Sequence, residues 1–155
     1  MKIWSLLVAA WLMLIGLIIF TMSCPCGPVP GLWLLGEVAQ EKVTDWSIAN
    51  DRKSAPLCQL QINTWRPHSI NLNCMSDQGN LYVSCSNCAG KTWSNDALAY
   101  PEGILRIGET VYPVHLERLT RPQDLDIAWS ARLRKIGAES APRPEHWWSF
   151  RLNSS

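Results

Sequence analysis

From Pro56 onward, apolar residues fall on every second position between turn signals, a pattern that commits a chain to antiparallel strands with one buried face. Cys58, Leu60 and Ile62 alternate with Gln59, Gln61 and Asn63. Beyond the break Trp65-Arg66-Pro67-His68, Ile70, Leu72 and Cys74 alternate with Asn71 and Asn73. Period two puts each apolar set on one face. A hairpin symmetric about Arg66 places Ile62 opposite Ile70, Leu60 opposite Leu72 and Cys58 opposite Cys74, and a slip of one residue would turn one set outward.

Further turns repeat the theme. Asp77-Gln78-Gly79-Asn80 precedes Leu81-Tyr82-Val83-Ser84-Cys85, and Gly108-Glu109 joins 104–107 to 110–119 with Leu105 opposite Tyr112. Thr92 to Tyr100 reads as a short helix or turn ending at Pro101, with Trp93, Ala97 and Leu98 inward. A clearer helix follows, with Thr120 and Gln123 at capping-box spacing, Pro122 in the first turn and a stop at Gly137. Leu125, Ala128, Trp129, Leu133 and Ile136 recur along it at helical spacing. After Pro142 and Pro144, Trp147 to Leu152 supplies a closing strand. About six strands and one well-marked helix predict a mainly β, α+β fold: a small antiparallel barrel with flanking helices.

The N-terminus sets the compartment. After Lys2, the run from Ile3 to Met22 is uncharged, at the border between a secretory signal and a spanning helix. Without an A-x-A site after it, and with Trp4 where an interfacial ring would sit, it reads as an uncleaved signal-anchor contacting the membrane through residues 3–22. The alternative is a lipoprotein signal with Cys24 as the lipidation site. Lys2 is the only basic side chain near the span, so the expectation is an inner-membrane protein with a cytoplasmic N-terminus and a periplasmic body. The organisation that follows is an anchor or signal at 1–23, a Pro/Gly-rich stalk and juxtamembrane segment at 24–45, and a barrel domain at 46–155. A body of this length holds one core. A net charge of +1 and a charged fraction of 17% provide no basic stripe for nucleic acid.

Cysteines supply the next layer. In an oxidising compartment the hairpin register pairs Cys58 with Cys74, closing a loop of about 15 residues for roughly 3 kcal/mol, the alternative being two buried thiols. Cys85-Ser86-Asn87-Cys88 is a C-x-x-C in a strand-to-loop setting, which reads as a structural disulfide pinning the loop, with thiol–disulfide exchange as an alternative. His68, His115 and His146 carry no surrounding motif and read as surface or structural residues.

The order Leu81-Tyr82-Val83-Ser84, Gly90-Lys91-x-Trp93-x-Asn95, Pro101, Leu105-Arg106-Ile107-Gly108 and Val111-Tyr112-Pro113-Val114 resembles the split β-barrel superfamily of pyridoxamine 5'-phosphate oxidase-like proteins, including its deazaflavin-dependent nitroreductase branch. The resemblance covers about half the chain. It implies a cofactor-phosphate loop lined by Ser86, Lys91 and Trp93, with Asn95 ordering the turn behind it. It also implies a homodimer and FMN or a related flavin, since deazaflavin belongs to cytoplasmic pools. Three functions follow as expectations: a membrane-anchored flavin-type oxidoreductase; a non-catalytic envelope protein that uses Trp65 and Trp147 for a partner; and a thiol–disulfide protein acting through Cys85 and Cys88.

Overall fold

The computed structural model describes residues 2–23, 30–62 and 65–155. Its elements run α1 (Lys2–Ser23), β1 (Glu37–Val38), β2 (Cys58–Ile62), β3 (His68–Asp77), β4 (Asn80–Ser86), α2 (Thr92–Ala99), β5 (Glu102–Ile107), β6 (Thr110–Arg118), α3 (Pro122–Ile136) and β7 (Trp147–Ser154). Strands β6, β5, β2, β3, β4 and β7 neighbour one another in that order, and a β6 to β7 pairing closes the ring into a six-stranded antiparallel barrel. The short β1 adds to β6 in parallel.

The alternation accounts for the interior. Leu60, Ile62, Leu72, Leu81, Val83, Leu105, Val114, Phe150 and Leu152 point inward and are buried. Strands β3, β4 and β7 bury their outer face too, because α3 lies across them. Ala128 and Ala131 bring that helix close enough to cover Met75, Tyr82 and Trp147, and Trp129 meets Trp147 edge-on at 5.2 Å. The turn residues act as their chemistry requires: Gln78 and Gly79 both take positive φ (49° and 79°), the geometry of a two-residue hairpin turn. Gly137 ends α3 in the left-handed region at φ 72°. Leu105 faces Tyr112 across the β5 to β6 hairpin.

The structure departs from the sequence expectation in several places. The β2 to β3 register is two residues tighter, pairing Cys58 with Leu72, Leu60 with Ile70 and Ile62 with His68. Pairing runs on until Pro67, which has no N–H to give a ladder, and a shift of two keeps every side chain on its face. His68 therefore begins a strand and is not a turn residue. Cys58 and Cys74 are diagonal instead of opposite, and their Cα atoms, 5.7 Å apart, place the sulfurs in bonding contact. The capping box does not form: α3 starts after Arg121 with no side-chain cap, and Arg121 instead pairs with Asp124 at 2.7 Å. Leu98 and Ile136, expected inward, are 48% and 45% exposed. Trp147, expected as a partner-binding aromatic, is buried beneath α3 and cannot serve as one. Cys24, the lipidation candidate, and Asn63 lie outside the described residues.

Ahead of the barrel, residues 31 to 39 form a strap across its outer wall. Gly31 exchanges two backbone hydrogen bonds with Ser69 (2.9 and 2.8 Å), and the Leu34 N–H donates to Gln61 Oε1 at 2.7 Å. Arg106 donates to the Leu35 carbonyl at 2.9 Å. The Glu37 and Ala39 N–H groups then reach the carbonyls of Glu109 and Val111 at 3.1 and 3.0 Å. Helix α1 is uncharged from Ile3 to Phe20, long enough to cross a bilayer, and unburied over that span.

Candidate functional site

At one end of the barrel three features meet: the β2 to β3 tip, the loop after β4, and α2. Strand β4 ends at Ser86, and Asn87 turns the chain through the left-handed region (φ 53°) into a 3-10 turn at Cys88–Gly90. Cys85 and Cys88 lie with Cα atoms 5.6 Å apart and their sulfurs in bonding contact. Both are buried, at 6% and 0% exposure, so neither sulfur is open to an attacking thiol from outside. The loop is also tied to α2. The Ser94 hydroxyl donates to the Cys88 carbonyl and lies 3.0 Å from the Lys91 carbonyl, while Asn95 Nδ2 donates to the Ala89 carbonyl at 3.2 Å.

Helix α2 divides its residues by face. Trp93, Ser94 and Ala97 point inward; Trp93 is 4% exposed and packs on Phe150 with ring centroids 5.5 Å apart. Of the four residues expected at a cofactor-phosphate loop, Ser86, Lys91 and Asn95 are exposed around the loop and the helix start. Trp93 is the exception: its ring plugs the barrel end from within, because an indole set one turn before Ala97 falls on the core face.

A second face of α2 carries Thr92, Asp96 and Tyr100, three residues at i, i+4 and i+8 that line up on one side of a helix and its C-cap. Facing them is the β2 to β3 tip. Together Trp65, Arg66, Pro67, His68, Thr92, Asp96 and Tyr100 enclose an open cleft of about 570 Å³, within the range of small-molecule sites. Trp65 is 90% exposed and Tyr100 53%. The cleft thus joins a guanidinium, an imidazole and two hydroxyls to an aromatic rim, with one carboxylate opposite. Lys91 stands one residue from Thr92, at the N-terminal end of α2, where helix polarity favours an anion. Sequence reasoning singled out Lys91, Trp65 and His68 but not Arg66, Thr92, Asp96 or Tyr100. The four-residue spacing from Thr92 to Tyr100 was the available signal; the tip that completes the cleft is far away in sequence.

A buried phenol and a half-buried amine lie elsewhere. Burial beneath α3 raises the Tyr82 phenol above its ordinary pKa, with Arg151 acting in the opposite direction. Burial lowers Lys135 to about 8, opposed by the Asp51 carboxylate. Its Nζ donates to the carbonyls of Ala55 and Cys74, both at 2.7 Å, and so pins α3 to β3.

No family model and no curated protein matches the chain. Solved structures do. A candidate 5-nitroimidazole antibiotic resistance protein from Bacteroides thetaiotaomicron superposes with a TM-score of 0.60 at 9% identity, over 76% of this chain and 81% of that one. A candidate pyridoxamine 5'-phosphate oxidase from Listeria innocua gives 0.55 at 9% identity, over 70% and 88%. The heme storage protein HutZ from Vibrio cholerae gives 0.50 at 14% identity, over 70% and 85%. At such identities the likeness is one of fold, and it accompanies the closed ring of six strands described above. The chain has the split β-barrel fold of the pyridoxamine 5'-phosphate oxidase-like proteins.

Proposed function

We propose that the protein is a membrane-anchored split-barrel module that binds a phosphorylated aromatic cofactor of the flavin class in the cleft between the β2 to β3 tip and α2. The observation that carries this reading is the donor set of the cleft. Arg66 presents a planar guanidinium fork suited to phosphate, Thr92 adds a hydroxyl from the α2 side of the cleft, and Trp65 and Tyr100 offer aromatic rings to a planar ligand. Lys91 and Ser86, at the adjoining loop, add a cation and a hydroxyl within the same barrel end. Asp96 opposes an anion, so in this reading the phosphate lies toward Arg66 and Thr92 while the carboxylate accepts from the ring system. When bound, a flavin supplies the redox chemistry; the chain's own residues bind and orient it. Helix α1 supports membrane anchorage, and with Lys2 as the only basic residue flanking it the body belongs on the outer, periplasmic side. There both cysteine pairs are held oxidised.

Titrating the detergent-solubilised full chain with FMN and with riboflavin, followed by flavin fluorescence, tests the cofactor reading. The expected result is FMN binding at least about tenfold tighter than riboflavin, from charge-assisted phosphate bonds worth roughly 1.5–3 kcal/mol, with the preference lost in Arg66→Ala. Equal or absent binding of the two would remove the phosphate from this cleft.

A further inference from the structure

The strap is attached to the barrel at the same end as the cleft. Gly31 pairs with Ser69 near the start of β3, four residues after Trp65 in the sequence, whereas the rest of the strap runs away from that end toward the β5 to β6 turn, ending its hydrogen bonds at Glu109 and Val111. Helix α1 ends at Ser23, so eight Cα-to-Cα steps separate the end of the apolar helix from Gly31, the first of the described residues hydrogen-bonded to the barrel. Fully extended, they reach about 28 Å, and less in any other conformation. With α1 in the bilayer, that reach keeps Gly31, and with it the neighbouring Trp65 end of the barrel, within about 28 Å of the end of the helix.

That end has the chemistry of an interface. Trp65, at 90% exposure, is the most exposed large hydrophobic residue of the described body, and Tyr100 (53%) lies across the cleft from it. Trp and Tyr are the residues that settle at the level of lipid headgroups, and basic side chains beside them meet headgroup phosphates. Arg66 follows Trp65 directly, and exposed Lys91 lies at the start of the helix that Tyr100 ends. Trp33, within the strap and two residues beyond Gly31, is another half-exposed indole near the tether.

We infer that this barrel end, led by Trp65 and Arg66 with Tyr100, docks onto the phospholipid surface, so that the cleft opens at the membrane interface. The inference rests on the proposed anchorage through α1 and is independent of which ligand the cleft takes. A cleft so placed admits an amphipathic substrate from the headgroup layer without passage through bulk water.

The test is photolabelling of the full chain reconstituted in vesicles of phosphatidylethanolamine and phosphatidylglycerol doped with a phospholipid that carries a diazirine near its glycerol backbone, with adducts mapped by peptide mass spectrometry. Adducts are expected on α1 and on the peptides holding Trp65 to Pro67 and Tyr100, and few on the far end around Gln78 and Gly108. In the Trp65→Ala, Arg66→Ala double variant, adducts at Tyr100 are expected to fall several-fold while those on α1 and the thermal melting of the body stay unchanged. Labelling of α1 with none at Trp65 to Pro67 and Tyr100 would overturn the docked surface and leave the anchor standing. An absence of adducts on α1 itself would overturn the anchorage and the docked surface together.

Discussion

Lys135 shows how much a single side chain can ask of a small fold. Its ammonium is drawn between two carbonyls, 2.7 Å from each, and burial brings its pKa down to about 8 from 10.5 in the unfolded chain. Between those values the unfolded state binds more protons than the folded one, so stability should rise with pH across that window and fall as pH drops through about 8. Urea unfolding between about pH 8 and 9.5 checks this, below the range where the raised pKa of Tyr82 pulls the other way. Lys135→Met should flatten the rise. A rise that persists in Lys135→Met would assign the effect to another group. The residue was invisible as a special site in the sequence, where it is one of two basic residues in the last turn of a helix. Only the packing of α3 on β3 makes it half-buried.

At the scale of elements, the strap is the feature whose conformation was least legible. Its apolar run Leu32 to Ala39 carried no readable periodicity, because the conformation comes from hydrogen bonds to strands distant in sequence and not from a local pattern. Gly36 is where it passes closest to the barrel: an added Cβ would stand 2.5 Å from the Glu109 carbonyl oxygen and 2.9 Å from Val111 Cγ1. Gly36→Ala should therefore lift β1 from β6, with loss of amide-exchange protection at Glu37 and Ala39 and little change in the melting of the barrel, whose six-strand ring does not include β1. Retained protection at both amides would show that the crossing relaxes around the methyl group. The α2 helix was legible as an element. Its division into a core face with Trp93 and a cleft face with Thr92, Asp96 and Tyr100 was only half legible, because assigning the second face requires knowing that the β2 to β3 tip stands opposite.

At the scale of the whole molecule, closure and cross-linking act together. The ring closes through β4 to β7 and β6 to β7 pairings, contacts far apart along the chain that have a high entropic cost to form. A bond between the buried Cys58 and Cys74 fixes the β2 to β3 hairpin within that ring. Replacing both with alanine should lower the unfolding free energy by about 3 kcal/mol, the loop-closure value for a link of this span, read as an earlier urea midpoint. Reduction of the wild-type protein should give a similar shift, and a midpoint unmoved by either would mean that the pair does not form a stabilising bridge.

The sequence by itself determined which face of each strand is apolar, where the β3 to β4 and β5 to β6 turns fall, where α3 stops and that an uncharged helix precedes the body. All of these depend on residues a few positions apart: period two, period 3.6, and backbone angles that favour glycine. Tertiary structure alone decided the two-residue shift that makes Cys58 and Cys74 diagonal partners, the burial of Trp147 under α3, and the cleft. Each of these depends on where an element comes to rest against a distant one, and a local pattern carries no information about which of several compatible neighbours will arrive. Pro67 shows the boundary between the two kinds of determination. Its missing N–H is written in the sequence, but that it sets the end of the β2 to β3 ladder follows only once the strands have paired.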